Sequence, residues 1–475
     1  MTVAHADRFY IDGRWVPGST SARTPVVSPA TEEVVGEVAL GGSSDVDLAV
    51  AAARRAFPAF SQTHPEERVA LLGRILELLE QRTDSFVDAI VTEMGAAKAF
   101  ARASQVPFAI EHVRVAIDVL RRYPFLRVEG SRATAREAIG VCALITPWNW
   151  PLYQVTAKVA PAVAAGCTIV LKPSELSPYS ALLFAEVMDD AGVPAGVFNL
   201  VNGTGEAVGA ALAAHPEVDL ISITGSTRAG VLVAQAAAPT VKRVVQELGG
   251  KSPNVFLEDA DFAQGVAKGV LAGFRNVGQS CSAPTRMVVP AGRLTEVERL
   301  AAETVSQIRV GDPRLDDTTM GPIANAAQFR RVQTMITAGI EDGARLVTGG
   351  PGRPAGLERG FYARPTIFSD VRSDMRIAQE EIFGPVLSIL PYRDEEEAIA
   401  IANDTVYGLG AQVQSGDRER ARRFASRIRA GQVHINYPPW DGYAPFGGYK
   451  RSGNGREYGV FGLEEYLETK AIVGY

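Results

Sequence analysis

The residues of this chain best suited to covalent chemistry lie in one short polar run, Asn276-Val277-Gly278-Gln279-Ser280-Cys281-Ser282-Ala283-Pro284. There a cysteine is flanked by hydroxyls instead of aliphatic side chains. A thiolate is the reactive form, and a free thiol has a pKa of about 8.5, so either that pKa must fall or a base must stand near. Glu247, in the string Gln246-Glu247-Leu248-Gly249-Gly250-Lys251, is the candidate base. Cys142 and Cys167 lie in strand-like apolar runs and read as inert core thiols. Three cysteines at these spacings make neither a disulfide framework nor a CxxC metal site. The five histidines are scattered singly, without HExxH, and predict no bound metal.

A second kind of chemistry, phosphate binding, has two candidates. Gly203-Thr204-Gly205-Glu206-Ala207-Val208-Gly209 looks like a dinucleotide fingerprint but carries one residue too many before its last glycine. Better placed is Thr224-Gly225-Ser226-Thr227-Arg228-Ala229-Gly230, which follows an apolar run and opens an alanine-rich helix over 231–238. Free N–H groups and a partial positive charge at such a helix start can hold a pyrophosphate. Simple N-capping by Ser226 or Thr227 uses the same residues, and both readings stand at this point.

Positioning these groups falls to elements with two different periods. Asp45 to about Phe60 and Glu66 to about Arg82 read as helices, the second with Val69, Leu72, Leu76 and Leu79 on one face. Val128 to Ala138 alternates and is rich in Arg and Glu, which predicts an exposed hairpin. Short apolar runs then recur between helical stretches: Ile139–Ile145, Thr168–Leu171, Val197–Val201 and Asp219–Ile223. Strands alternating with helices predict a parallel, doubly wound α/β sheet with ligands at the carboxyl ends of its strands. A second α/β stretch runs from Gly249 to about Gly447, with strands at Met287–Pro290 and Ser388–Pro391 and helices over Asp394–Asn403 and Asp417–Arg429. The charge runs on those two helices read as solvated faces.

At 475 residues the chain exceeds what one core serves, so at least two domains are expected, with a site between them. A net charge of −6 without a basic run gives no reason to expect nucleic acid or an anionic membrane as partner. The opening MTVAHADRFYIDGRW has no apolar stretch, no later run has spanning length, and a cytoplasmic location is expected.

Seven motifs occur in the order and approximate spacing of one known family: PWNWP (147–151), KPSELSP (172–178), TGSTRAG (224–230), ELGGKSP (247–253), GQSC (278–281), EEIFGPV (380–386) and PFGGYKRSG (445–453). By these the chain resembles the NAD(P)-dependent aldehyde dehydrogenase superfamily, and the cap-only and buried-thiol readings recede. The resemblance implies an α/β fold of three parts: a Rossmann-type NAD-binding domain from 1–119 and 139–248, an α/β catalytic domain over 249–447, and a small β oligomerisation arm from 120–138 and 464–475. A homodimer or homotetramer is implied.

By the same resemblance Cys281 is the nucleophile, the Asn149 amide with the Cys281 backbone N–H is the oxyanion hole, and Glu247 is the general base that activates water. Lys172 and Glu175 would bind the adenine-side ribose; a carboxylate there repels a 2′-phosphate, so NAD is favoured over NADP. Glu381 and Phe383 would hold the nicotinamide ribose, Glu380 would make a structural ion pair, and Ile145, Thr146, Pro147, Trp148, Gly205, Gly225, Ser226, Gly230 and Leu248 would line the cofactor path.

The aldehyde would meet Trp150, Tyr153, Gln154, Arg275, Ser280, Ser282, Trp440 and Phe446. Arg275 resembles the arginine of succinate-semialdehyde dehydrogenases that binds a distal carboxylate, and a guanidinium fork suits that work. The alternative, an Arg275 turned to a neighbouring carboxylate or to solvent, stays open. The string GQSCSAPTR resembles bacterial members that oxidise oxo-acids and semialdehydes. Two rival functions are a coenzyme A-acylating semialdehyde dehydrogenase, whose relatives generally lack the carboxylate at Glu247, and a non-catalytic ligand-binding relative.

Overall fold

Apolar runs without alternation are what a parallel sheet covered on both faces requires. Five runs, Val141–Ile145, Thr168–Lys172, Phe198–Leu200, Leu220–Thr224 and Arg243–Glu247, pair in parallel in the computed structural model, which describes residues 3–475. The first four are buried at every position. Across the sheet the order is Arg243–Glu247, Leu220–Thr224, Val141–Ile145, Thr168–Lys172, Phe198–Leu200. The chain therefore winds outward from Val141–Ile145, returns to the middle, and winds the other way. A crevice opens beyond the carboxyl ends of strands that flank such a reversal.

Two antiparallel additions extend this sheet. Arg8–Ile11 pairs with Phe198–Leu200 and folds back on Arg14–Pro17 through Asp12 and Gly13, at φ of 54° and 71°. Asp-Gly between short apolar runs is a strong signal for a primed hairpin turn. The N-terminal run, read only as lacking an apolar stretch, is thus a strand pair. At the opposite edge Gly453–Asn454 pairs with Arg243–Glu247.

The second sheet has the order Arg345–Thr348, Thr366–Ser369, Val386–Tyr392, Arg286–Pro290, Pro253–Phe256, Gly410–Gln414, Gln432–Ile435, parallel except for its first strand. The chain enters it directly: Glu247 ends a strand of the first sheet, and Pro253 begins one of the second. Consequently the Gly249-Gly250 link lies at carboxyl ends of one sheet and amino ends of the other. Cys281 likewise precedes the amino end of Arg286–Pro290.

The two early helices span Ser43–Phe60 and Pro65–Gln81, the latter burying Val69, Leu72 and Leu79. The helix expected over 231–238 begins earlier, at Thr227, because Ser226 caps it. The helix expected over Asp417–Arg429 stops at Ala425. The Asn403 amide captures the chain beyond it, donating to the Arg427 carbonyl at 3.0 Å and accepting from the Arg429 N–H at 2.8 Å. Its charges are not simply solvated: Arg420 pairs with Asp259 and Glu395, and Arg427 with Glu396.

Leu126–Glu129 and Arg132–Ala138 form the anticipated hairpin, and Leu467–Val473 adds to Arg132–Ala138 as a third antiparallel strand. Both edges of this small sheet are open.

Candidate active site

The loop that carries Cys281 is bent hard before it reaches the cysteine. Asn276, Val277 and Gly278 have φ of 54°, 60° and 69° in succession, a conformation that costs non-glycine residues energy and persists only when neighbours fix it. Here the neighbours are amides. Asn276 donates to the Asn149 carbonyl at 2.8 Å and accepts from Gln105 at 2.9 Å, while Asn149 donates through its side chain to the Gln279 carbonyl at 2.9 Å. Gln279 in turn accepts from the Ala324 N–H at 2.9 Å. Asn149 is thereby tied to the loop two residues before the thiol, with one of its two amide protons still free. The Cys281 backbone N–H makes no hydrogen bond among the described residues.

On its other side the thiol loop rests on the Gly249-Gly250 link. A Cβ at Gly250 would lie 2.3 Å from the Cys281 carbonyl oxygen, so only glycine allows this approach. The same link receives Glu381, whose carboxylate accepts the Gly250 N–H at 2.9 Å. Burial pushes Glu381 up to about 7.

Glu247 is 1% exposed, and neither carboxylate oxygen has a hydrogen-bond partner. Burial raises it well above the usual carboxylate range; Glu457 adds to this, and Lys158 and Arg456 oppose it. Burial also raises the Cys281 thiol, with Glu381 and Glu247 adding and the Ser282 N–H opposing. The Cys281 thiol is therefore not pre-ionised by its surroundings, and Glu247 is a carboxyl within electrostatic reach of it. Lys158 and Glu457, a buried ion pair whose ammonium also donates to Ser222, lie within electrostatic reach of Glu247.

The cofactor candidates gather around the reversal of the first sheet. Ile145 ends its strand opposite Lys172, and the Thr146 N–H donates to the Lys172 carbonyl at 3.1 Å. The Lys172 ammonium reaches Glu175 at 3.1 Å. Pro147 and Trp148 follow, half-buried, with Trp148 set edge-on to Phe383 at 5.4 Å. Gly225 and Ser226 are open to solvent at the start of Thr227–Ala237, where Ser226 accepts the Ala229 N–H at 3.2 Å, so the capping reading also holds. Behind them Leu248 packs onto Gly230, where a Cβ would meet its methyl at 2.6 Å. Gly205 begins a short helical turn capped by Thr204. Glu380 pairs with Arg331 at 3.6 Å on the surface.

The aldehyde-side candidates form a wall of half-buried rings. The Trp150 indole donates to the Ser280 hydroxyl at 2.9 Å, next to the thiol. Trp150 lies 5.4 Å from Tyr153, and Trp440 stacks on Phe108 at 4.9 Å. Phe446 and Tyr458, packed against Cys281 and Tyr153, close the inner end. Ser282 is exposed beside the thiol, whereas Gln154 turns into the interior with its Oε1 unpaired. Arg275 stands over Phe100, Phe108 and Trp150 at 5.3, 5.2 and 5.8 Å and has no carboxylate partner among the described residues. Phe100, Phe108, His112, Lys158, Glu457 and Tyr458 had no signal in the sequence beyond ordinary core or surface character.

Two doubly wound sheets thus meet over a cysteine and an unpaired carboxylate, the groups that chemistry through a covalent thiol would use. Comparison with known proteins agrees. The pattern of the Aldehyde dehydrogenase family matches residues 15–472. The chain is 55% identical over 98% of both chains to a 3-succinoylsemialdehyde-pyridine dehydrogenase from a Pseudomonas species. A crystal structure of a cysteine-to-alanine mutant of aldehyde dehydrogenase C from Pseudomonas syringae, complexed with NAD+ and octanal, superposes with a TM-score of 0.99. It is 68% identical, and the match covers 100% of this chain and 98% of that one. Betaine aldehyde dehydrogenase from Staphylococcus aureus with NAD+ is 34% identical with a TM-score of 0.95, over 98% and 97% of the two chains. The chain belongs to the aldehyde dehydrogenase family, and it is an oxidoreductase that acts on aldehydes.

Proposed function

We propose that this enzyme oxidises an aldehyde to the carboxylate with NAD, through a thiohemiacetal and then a thioester on Cys281. The observation that carries the reading is the buried Glu247 carboxylate with both oxygens free, within electrostatic reach of the thiol. NAD fits the cradle described above. The half-exposed Glu175 carboxylate, held by Lys172, suits two ribose hydroxyls, and the unobstructed Gly225-Ser226 helix start suits a pyrophosphate. Bound there, NAD would supply the hydride acceptor.

The chain's own groups do the rest. As sulfur bonds to the carbonyl carbon the thiol proton passes to water, a transfer that Glu247 assists without being the sole acceptor, so the base is free for hydrolysis. The free Asn149 N–H and the Cys281 backbone N–H are the donors for the oxygen that becomes negative, an arrangement whose single donors are each worth roughly 100- to 1000-fold in rate. After oxidation Glu247 removes a proton from water; the hydroxide adds to the thioester carbon, and the thiolate leaves. A base with free oxygens beside Cys281 favours hydrolysis over acyl transfer to coenzyme A, and the intact set favours catalysis over mere binding. Glu247→Gln should release one burst of NADH and then stall, as followed by stopped-flow absorbance; steady turnover at the original rate would contradict the role.

The substrate proposed is a semialdehyde or oxo-acid whose far end reaches Arg275. The guanidinium, stacked over three rings and without a carboxylate partner among the described residues, has its in-plane donors available to a carboxylate. Arg275→Leu should raise KM for an ω-oxo acid at least about tenfold more than for an uncharged aldehyde of equal length. Equal effects would favour the second reading, an apolar aldehyde, which the octanal in the Pseudomonas syringae enzyme supports.

Among the described residues no helix is long and apolar enough to cross a membrane. We place the enzyme in the cytoplasm as a homodimer or homotetramer, with the three domains bounded as the sequence motifs imply and the three-stranded sheet as the arm.

A further inference from the structure

Tyr458 has a backbone conformation, φ 71° and ψ 154°, that side chains other than glycine rarely adopt. The reciprocal bonds between Phe446 and Glu457, at 2.9 and 2.7 Å, and the start of helix Gly459–Glu465 hold it there. The result is a ring stacked on Phe446 at 5.1 Å, 6% exposed, with its hydroxyl bonded to that of Tyr153. Two phenols hold two protons, and the bond between them uses one. One hydroxyl proton of the pair is therefore left with no acceptor among the described residues, on the aromatic wall that leads to Cys281.

We infer that the Tyr153–Tyr458 hydroxyl pair is a substrate subsite that donates a hydrogen bond to an uncharged acceptor, a ketone oxygen or ring nitrogen, part-way along the aldehyde. The surroundings select against an anion. Glu457 lies beside the pair with its charge taken by Lys158, and His112, whose ring is 4.4 Å from Tyr153 and 4.5 Å from Tyr458, is kept neutral by burial. A carboxylate at this depth would find no free cation, whereas Arg275 stands at the outer end of the wall. The aldehydes selected are those that interrupt an apolar body with a neutral polar atom.

This subsite rests on the aldehyde-oxidising reading, and one experiment separates the two. The probes are octanal and the keto analogue of the same length with its ketone in mid-chain, each followed by NADH absorbance. For the double variant Tyr153→Phe/Tyr458→Phe, the ratio of kcat/KM for the keto aldehyde to that for octanal should fall about tenfold, the loss of one neutral hydrogen bond. The ratio does not depend on how much enzyme is folded. A ratio within about twofold of the parent in that variant overturns the subsite alone, whereas a parent enzyme that yields no NADH from either probe or from an ω-oxo acid overturns the dehydrogenase reading as well.

Discussion

Glu381 shows how a single residue answers to two demands. In the cofactor role proposed for it, it would accept hydrogen bonds from a ribose, which the ionised form does best, yet it sits against the Gly249-Gly250 link where burial favours the neutral one. The compromise is a carboxyl that titrates at about 7. Because its pKa is raised, Glu381 is protonated below that pH and a full acceptor only above it. KM for NAD should fall several-fold as pH rises from about 6 to about 8, and Glu381→Gln should flatten the profile. A parent profile already flat across that window would remove Glu381 from the cofactor site. Glu247 has the same sign with a different consequence: burial makes its ionised form a stronger proton acceptor, so the proposed base gains strength but is populated only as pH rises.

At the scale of elements, the site depends on backbone approaches that only glycine permits. Gly278 is at φ 69°, and a Cβ there would lie 2.1 Å from the Gly384 carbonyl oxygen, so the thiol loop and the Glu381–Phe383 segment touch through this residue. Gly278→Ala should lower Tm by several degrees, the result of a destabilisation of about 2–4 kcal/mol, and reduce kcat/KM more than Cys281 burial alone explains. An unchanged melting curve would show that the loop relaxes freely. Such approaches also mark how far the sequence could be read. The apolar runs and the polar Cys281 motif foretold the parallel strands and the thiol loop, each of which announces itself locally, through hydropathy or through residue type, whereas Lys172 and Glu175 were named only through the family resemblance. Tyr458 and His112 do not, because their meaning comes from meeting Tyr153 across more than forty or three hundred residues of chain. The early end of helix Arg418–Ala425 was equally hidden, since Asn403 causes it from another helix.

For the whole molecule, the open question is what covers the three-stranded sheet. Leu126 and Val128 are 45% and 54% exposed on one edge strand, and Val473 and Tyr475 are 85% and 57% exposed at the end of the other. Unpaired edges bearing apolar side chains are poorly tolerated in isolation, and a second copy of the chain would cover them. Removing residues 467–475 should leave Arg132–Ala138 without one of its two partner strands and reduce the particle mass, measured by light scattering after size exclusion, to that of one chain. A truncated protein of unchanged mass would place the subunit contact elsewhere.

All of this turns on a covalent bond between Cys281 and the substrate carbon, which can be seen directly. In Glu247→Gln, mixed with NAD and octanal and quenched after the burst, mass spectrometry of the tryptic peptide Asn276–Arg286 should show one octanoyl group on Cys281. An unmodified Cys281 peptide after a full burst of NADH would contradict the account.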